Sequence, residues 1–293
     1  MRPAAPRSSF ACQQLAWLLS LLLLSGLLGG CASSQRLKDV RAFAATAPKL
    51  SGYTELSQRY RDTYQRELPY LTAAAAGREK ALDAERRAAY PDLVAIHQAV
   101  VAYLRALGAL ADGDQFNYGD QIKDFSAGIK AWPDTGLTDR HVNAVANLAR
   151  VIARAATNRE QDQAVQQLLR DGYEPLHDAL DAMHTVLRYY DRQHDNEQGI
   201  VLGMLDVEIP FSERPPERLL AALAKAHRQD KANEYRLLGL RHTLAANQVR
   251  DLAAWHETLY RGLGAPTAPV RAATSSLAPT TIAAAALVQG AQP

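Results

Sequence analysis

Residues 93–110 read LVAIHQAVVAYLRALGAL, and this stretch decides the fold class of the chain. Its large apolar residues recur every three or four positions, which is the period of one face of an α-helix and not that of a β-strand. The stripe consists of Leu93, Ile96, Val100, Tyr103, Leu104, Leu107 and Leu110. A helix with so apolar a face needs other helices to cover it. Pro91 either begins this helix or kinks a longer one.

Stripes of the same period occupy most of residues 53–262, while β-branched residues that alternate with polar ones are missing. One stripe runs from Thr138 to Asp171 and another from Glu217 to Arg261. As helices they would be roughly 50 Å and 70 Å long, at about 1.5 Å per residue. The sequence therefore predicts an all-α, elongated antiparallel bundle of about five helices, with residues 53–262 as its domain.

The last of these helices has a polar middle, HRQDKANEY at residues 227–235, where the apolar stripe lapses. No glycine or proline lies there to turn the chain. We therefore expect one continuous helix that projects beyond its partners, and not a break. The interrupted stripe also argues against homodimerisation through a continuous coiled coil.

The N-terminal residues carry the three parts of an export signal. Arg2 and Arg7 supply positive charge, Leu15 to Leu28 form the apolar part, and small residues follow. The apolar part has about 14 residues, whereas a membrane-spanning helix needs about 20, so it suits a signal-peptide core better. It ends in Leu28-Gly29-Gly30-Cys31, which resembles the lipobox of bacterial lipoproteins.

The resemblance implies that residues 1–30 are removed as a lipoprotein signal peptide and that acyl chains on Cys31 anchor the protein to the membrane. The residue after the cysteine is Ala32 and not aspartate, which favours the outer membrane, with the protein facing the periplasm. Residues 31–52 are then expected to form a lipidated tether. The alternative is a plain signal peptide or membrane anchor that happens to contain a cysteine.

Removal of the signal would also change the thiol content and the charge. Cys12 would leave and Cys31 would be acylated, so the mature domain would have no free thiol for disulfides or thiolate chemistry. The chain has 33 basic and 31 acidic side chains, and residues 1–30 hold two arginines and no acid, so 31 of each sign remain. A chain without net charge and without a cluster of basic residues has no surface that would attract the phosphates of a nucleic acid. We therefore exclude nucleic acid as a partner.

The sequence lacks the motifs of common catalytic machinery. It has no G-x-S-x-G elbow, S-x-x-K box, glycine-rich phosphate loop or H-E-x-x-H pair. We therefore expect no enzymatic activity and no cofactor. The best chemical candidate is the stretch YEPLHDALDAMH at residues 173–184.

In that stretch two acid–histidine pairs repeat along the chain, Glu174 with His177 and Asp181 with His184. On a helix His177, Asp181 and His184 share one face, so two imidazoles and a carboxylate can meet a metal ion or another ligand. Di-iron bundles need a matching pair on a second helix, which the sequence does not contain. The simpler interpretation is a solvated face beside the apolar stripe of the same helix.

A second candidate is a stripe of tyrosines with arginines around it: Tyr53, Tyr60 and Tyr64, with Arg59 and Arg61. Tyrosine and arginine are enriched at recognition hot spots, which favours a partner surface. A stripe at helical spacing is otherwise typical of core packing.

The C-terminal residues 263–293 are rich in Ala, Pro, Thr and Ser and carry almost no charge. Such a composition buries too little apolar surface to offset its ordering entropy, so we expect a low-complexity, disordered tail. The short apolar segment from Ile282 to Val288 is the exception, because it can dock on another surface.

Together these features predict a membrane-anchored periplasmic lipoprotein that acts as a scaffold or protein-docking module in the cell envelope, with another envelope protein as its partner. One alternative is a periplasmic immunity or inhibitor protein, which would present an exposed acidic or aromatic patch to a toxin. The other is a metal- or ligand-binding bundle that uses the Glu174, His177, Asp181 and His184 face.

Overall fold

The computed structural model describes residues 33–113, 128–155, 157, 160–211 and 217–264. Its α-helices are α1 (residues 33–44), α2 (Ser51–Arg61), α3 (Thr63–Glu67), α4 (Ala73–Asp112), α5 (Asp139–Ala155), α6 (Gln161–Asp171), α7 (Tyr173–Phe211) and α8 (Arg218–Gly262). Short 3-10 helices cover Ala47–Leu50, Leu68–Tyr70 and Pro133–Thr135. The predicted signal peptide, Cys31 and all but the first two residues of the predicted tail lie outside the described residues.

The prediction of an all-α fold is confirmed, since the described residues contain packed helices and no β-strand. Trp132 and Leu137 form an isolated backbone bridge around a tight turn. Three helices are long: α4 has 40 residues, α7 has 39 and α8 has 45. The predicted number of about five helices is approximate, because shorter helices also contribute to the bundle.

Helix α4 is the core helix of the bundle, and α2, α5, α6 and α7 pack on it. Its apolar stripe is buried as the sequence predicts, with Leu93, Ile96 and Leu104 completely covered. Among the described residues, α4 is also long and apolar enough to span a membrane, but 61% of its most apolar window is buried inside the bundle. Burial against neighbouring helices therefore accounts for its composition. Pro91 lies inside this helix at an exposed position, where it removes one backbone hydrogen bond of the helix.

The expectation of a tether is wrong for residues 33–50, which belong to the folded bundle. Val40 and Phe43 of α1 are completely buried in the main core. They are three positions apart and so lie on one helical face, which packs on the body of the protein. Arg36 of α1 also pairs with Asp162 of α6 at 3.4 Å.

The single helix predicted over residues 138–171 is wrong as well, because the chain forms α5 and α6 instead. Thr157 lies just after the end of α5, and its hydroxyl and its N–H both donate to the carbonyl of Arg154, at 2.7 and 3.1 Å. Threonine side chains offer the backbone this alternative to helical bonding. Glu160 then has an extended backbone, with φ −96° and ψ 115°, immediately before α6 begins.

Helices α7 and α8 form a long antiparallel hairpin. Glu197 bonds to Tyr235, and Asp206 bonds to Arg228, so residues further along α7 meet residues nearer the start of α8. The prediction that α8 continues through residues 227–235 is confirmed. It does not project alone, because α7 accompanies it.

The body and the hairpin have separate apolar cores. The main core lies among α1, α2, α4, α5, α6 and the halves of α7 and α8 that pack on them. A small second cluster lies in the projecting half of the hairpin and consists of Val201, Leu205, Ile209 and Tyr235. Tyr70, from the turn before α4, reaches this half and bonds to His227 at 2.7 Å. The structure thus places a two-helix arm on a compact body.

Candidate functional site

The four residues of the predicted metal or ligand face lie on the first half of α7 and do not converge. Glu174 is exposed to solvent. Asp181 turns towards α5, where it pairs with Arg140 and lies 3.3 Å from Nε2 of His141. Its carboxylate is therefore engaged by a neighbouring helix.

The two histidines of this face have different surroundings. The His177 ring packs on Tyr173, with centroids 4.5 Å apart, and on His256, at 5.6 Å. His184 is partly buried, and this desolvation, with Arg188 nearby, lowers its pKa. No group of three or more His, Cys, Asp or Glu side chains in the described part of the chain is placed to hold a metal ion. The predicted face therefore does not form a metal site in this fold.

The predicted tyrosine partner surface is wrong at two of its residues, which belong to the core. Tyr53 is 1% exposed and its hydroxyl donates to the Leu93 carbonyl at 3.2 Å. Tyr60 is 6% exposed and stacks on Tyr190 with ring centroids 4.8 Å apart. Desolvation by burial raises the pKa of both tyrosines. Neither ring is available to another protein.

The other members of that stripe lie at the edge of the core. Tyr64 is partly exposed. Arg61 pairs with Asp62 at 2.7 Å, and its guanidinium lies over the Tyr90 ring at 4.6 Å. Arg59 turns inward and becomes part of a charged cluster that the sequence does not predict.

This cluster lies where the hairpin leaves the body, and we call it the root cluster: Arg59, Arg66, Glu197 and Tyr235. Glu197 is only 2% exposed. Arg66 donates to both carboxylate oxygens, with Nε at 2.9 Å and Nη2 at 2.6 Å. Arg59 donates at 3.0 Å and the Tyr235 hydroxyl at 3.2 Å. One buried carboxylate therefore joins α2, α3, α7 and α8.

The sequence contains a signal for Glu197 that is clear only in retrospect. The buried face of α7 recurs every three or four residues through Leu187 and Tyr190, and continues with His194, Glu197 and Val201. A charged residue in the register of the core is expensive to bury without partners. The pattern therefore predicts that the Glu197 carboxylate has a charged or hydrogen-bonding partner. It does not predict which arginines these are, because they lie more than 130 positions away along the chain.

A cleft of about 340 Å³ lies beside the root cluster. Its charged lining consists of Glu55, Arg59, Asp62, Arg66, Glu234 and Arg241. The arginines of this lining are each paired with a carboxylate: Arg59 also meets Glu234 at 2.9 Å, and Arg241 meets Glu55 at 2.6 Å. Because these charges are already matched within the protein, the cleft shows no preference for an anion or a cation.

Buried titratable groups surround the root cluster. Glu67 is 1% exposed, and its Oε2 has no hydrogen-bond partner among the described residues. Burial, with the carboxylates of Glu79 and Glu197 nearby, raises the pKa of Glu67 to about 7. A carboxyl group with this pKa takes up or releases its proton near neutral pH.

Two histidines face each other across the hairpin next to this cluster. The rings of His194 and His242 have centroids 5.4 Å apart, and the Nδ1 atom of each is buried without a partner among the described residues. They line a small, partly open pocket of about 10 Å³ together with Glu197, close to the smallest volume that holds one water molecule. Burial lowers the pKa of both rings, to about 4 for His242, so that ring is neutral at pH 7.

A comparison of the chain with protein-family models, with curated proteins and with solved structures found no match. The function is therefore inferred from the chain's own chemistry. The polar groups of the root cluster are matched to one another, which is the arrangement of a structural junction.

The outer surface of the hairpin has a different character. At its far end five large apolar side chains are exposed, and we call them the hairpin-end patch: Val207, Phe211, Leu219, Leu220 and Leu223. Phe211 is 72% exposed and Leu219 is 74% exposed. Large apolar side chains exposed at one end of a fold are typical of sites of interaction with proteins or membranes. The sequence alone does not reveal this patch, because the exposure of these side chains depends on how α7 and α8 pair.

Proposed function

We propose that this protein is a lipid-anchored lipoprotein of the bacterial envelope that docks another envelope protein through the end of its α7–α8 hairpin. The observation that carries the proposal is the hairpin-end patch. A docking role requires an uncovered apolar surface on a rigid element, and it requires no catalytic residues.

The arrangement of the two ends of the molecule supports this role. Helix α1 begins close after Cys31, and its Phe43 contacts Trp255 near the end of α8, so the anchored end is the body end. The hairpin points the other way. Helix α7 spans Tyr173–Phe211, about 60 Å at about 1.5 Å per residue. Acyl chains on Cys31 would then hold the patch well clear of the membrane surface.

The character of the patch favours a protein partner with an apolar groove or helix face. Its side chains are aliphatic apart from Phe211, and the Asp206–Arg228 pair lies beside it. The register of that pair places Phe211 level with Leu223 across the hairpin. Leucine and phenylalanine side chains on a two-helix tip can insert into a hydrophobic groove.

Site-specific photo-cross-linking in living cells tests the docking site. A photoreactive residue at position 223 is compared with one at Leu82, which is 47% exposed on α4 and is not part of the hairpin-end patch. We expect one recurrent envelope protein to be cross-linked from position 223 and not from position 82. The purified partner should then bind Leu219→Glu with Leu223→Glu at least tenfold more weakly than the unchanged protein. Equal cross-linking from both positions, or unchanged binding, would refute docking at this patch, and capture of a single toxin would favour the immunity function.

Lipid attachment is tested separately by labelling cells with radioactive palmitate. The unchanged chain should carry the label and float with outer-membrane vesicles. The variant Cys31→Ser should carry no label and should leave the membrane fraction. A labelled Cys31→Ser variant would contradict the anchor.

A further inference from the structure

A second exposed apolar surface lies on α8, nearer the body. Leu237, Leu240 and Leu244 are 55%, 58% and 59% exposed, and their spacing places them on one face, which we call the α8 seam. The buried residues Leu238 and His242 lie on the opposite side of the helix, where it packs on α7. The seam therefore points away from the hairpin partner, and nothing in the described part of the chain covers these leucines.

The seam is short. In the same register Asn233 precedes Leu237 and Asn247 follows Leu244, so polar side chains end it on both sides. Its length from Leu237 to Leu244 is about 10 Å. A stable dimer buries about 800 Å² on each partner, which three leucines do not provide. The seam is therefore suited to a short occupant.

We propose that the segment from Ile282 to Val288 of the same chain docks on the α8 seam. This segment reads IAAAALV and is the longest uninterrupted apolar run after the end of α8. In helical form it would be about 10 Å long, which matches the seam. The chain carries no charge from position 272 to its last printed residue, so no charged group has to be buried when the segment docks.

The connecting chain has the right length for this seam. Leu244 lies about 27 Å from Gly262 along α8, and Leu237 about 38 Å. As a fully flexible connection, residues 265–281 would have a root-mean-square span of about 23 Å and a maximum near 60 Å. The seam is within easy reach, whereas Leu223 of the hairpin-end patch lies about 58 Å from Gly262, at the limit. A tether of this length gives the segment an effective concentration in the millimolar range at the seam.

This inference does not rest on the proposed function, because the seam and the hairpin-end patch are separate surfaces. It assigns the tail an intramolecular site and leaves the hairpin end free for a partner.

Disulfide trapping tests the contact, since the chain has only two cysteines. In the full chain with Cys12→Ser and Cys31→Ser, the pair Leu240→Cys with Leu287→Cys is compared with Leu82→Cys with Leu287→Cys. Position 82 is a matched control because it lies at a similar distance along the bundle. Tyr103 of α4 contacts His256 of α8. Measured from this contact, position 82 lies about 31 Å along α4 and position 240 about 24 Å along α8, in the same direction.

With a mild oxidant we expect the 240–287 pair to form a within-chain disulfide at least tenfold faster than the 82–287 pair, at a rate independent of protein concentration. Adding Ile282→Ser and Val288→Ser should reduce the rate to that of the control. Equal rates for the two pairs would overturn the proposal, because the tail would then not select the seam. A disulfide between two chains through Leu240→Cys alone would also overturn it and would assign the seam to a second copy.

Discussion

Replacement of Glu197 by glutamine tests whether the root cluster holds the hairpin on the body. Glutamine keeps the shape of the side chain but removes the charge, and its amide nitrogen cannot accept a bond from a guanidinium. Arg59 keeps a second partner in Glu234, at 2.9 Å. Arg66 loses its only paired carboxylate in the described part of the chain, which it contacts at 2.6 Å.

The expected loss follows from burial. Breaking a buried ion pair by removing one partner costs about 3–5 kcal/mol. The side chain of Arg66 is 21% exposed and so retains some hydration, which favours the lower figure of about 3 kcal/mol. In a domain of this size that loss corresponds to a decrease in Tm of roughly 6–12 °C.

The measurement is urea unfolding followed by circular dichroism, with hydrogen exchange to locate the effect. We expect the amides of α8 around Tyr235 to exchange faster in Glu197→Gln. The matched control is Glu55→Gln, which removes the same chemical group from a pair whose side chains are 61% and 58% exposed, and should cost less than about 1 kcal/mol. The reasoning is refuted if Glu197→Gln is as stable as Glu55→Gln. A double-mutant cycle with Arg66→Gln should give a coupling energy above about 1.5 kcal/mol.

Three further predictions concern buried positions elsewhere. Gly172→Ala should lower stability by about 1–3 kcal/mol in thermal unfolding, because its new Cβ would collide with the Tyr103 ring. Gly199→Ala, where nothing lies within 4 Å of the new Cβ, should raise stability by about 0.5–1 kcal/mol, and equal losses in both variants would contradict the packing. Tyr103→Phe removes the hydroxyl that lies 2.8 Å from Nε2 of His256, and should cost about 1–3 kcal/mol in urea unfolding, so an unchanged midpoint would disprove the contact. Glu67 has a pKa of about 7 in the folded state against an ordinary value of 4.5, so the folded protein binds the extra proton and loses stability as the pH rises from about 4.5 to 7. Glu67→Gln should therefore gain roughly 3 kcal/mol over the unchanged protein above pH 7 and nothing below pH 4.5, and a pH-independent difference would show that the carboxyl group is not buried.

Local periodicity was sufficient for the helical class, for the buried face of α4 and for the continuity of α8. The stripe that contains Leu93 and Leu104 is the buried face of α4, and α8 is continuous through its polar middle. These features depend on the spacing of residues within a few turns, which the sequence displays directly. The end of α5 was missed, because residues 156–160 contain no glycine or proline that would mark a break.

The sites depended on contacts between distant parts of the chain. The residues of the acid–histidine repeat lie on one face of α7, but Asp181 forms an ion pair with Arg140 of another helix. Tyr60 looked like a recognition residue and is a core residue, because α7 supplies the ring that covers it. The periodicity of the sequence predicts which residues lie on one face of a helix, but it does not predict which residues pack on that face.

By itself the sequence determined the helical class, the continuity of α8 and the N-terminal resemblance to lipoproteins, since each is encoded in neighbouring residues. Only the tertiary structure decided which faces are buried: it placed α1 in the core, gave Glu197 its two arginines and left the leucines of the hairpin uncovered. The physical reason is that burial and charge pairing are properties of two surfaces in contact. A single amphipathic helix specifies one of those surfaces, and the fold supplies the other.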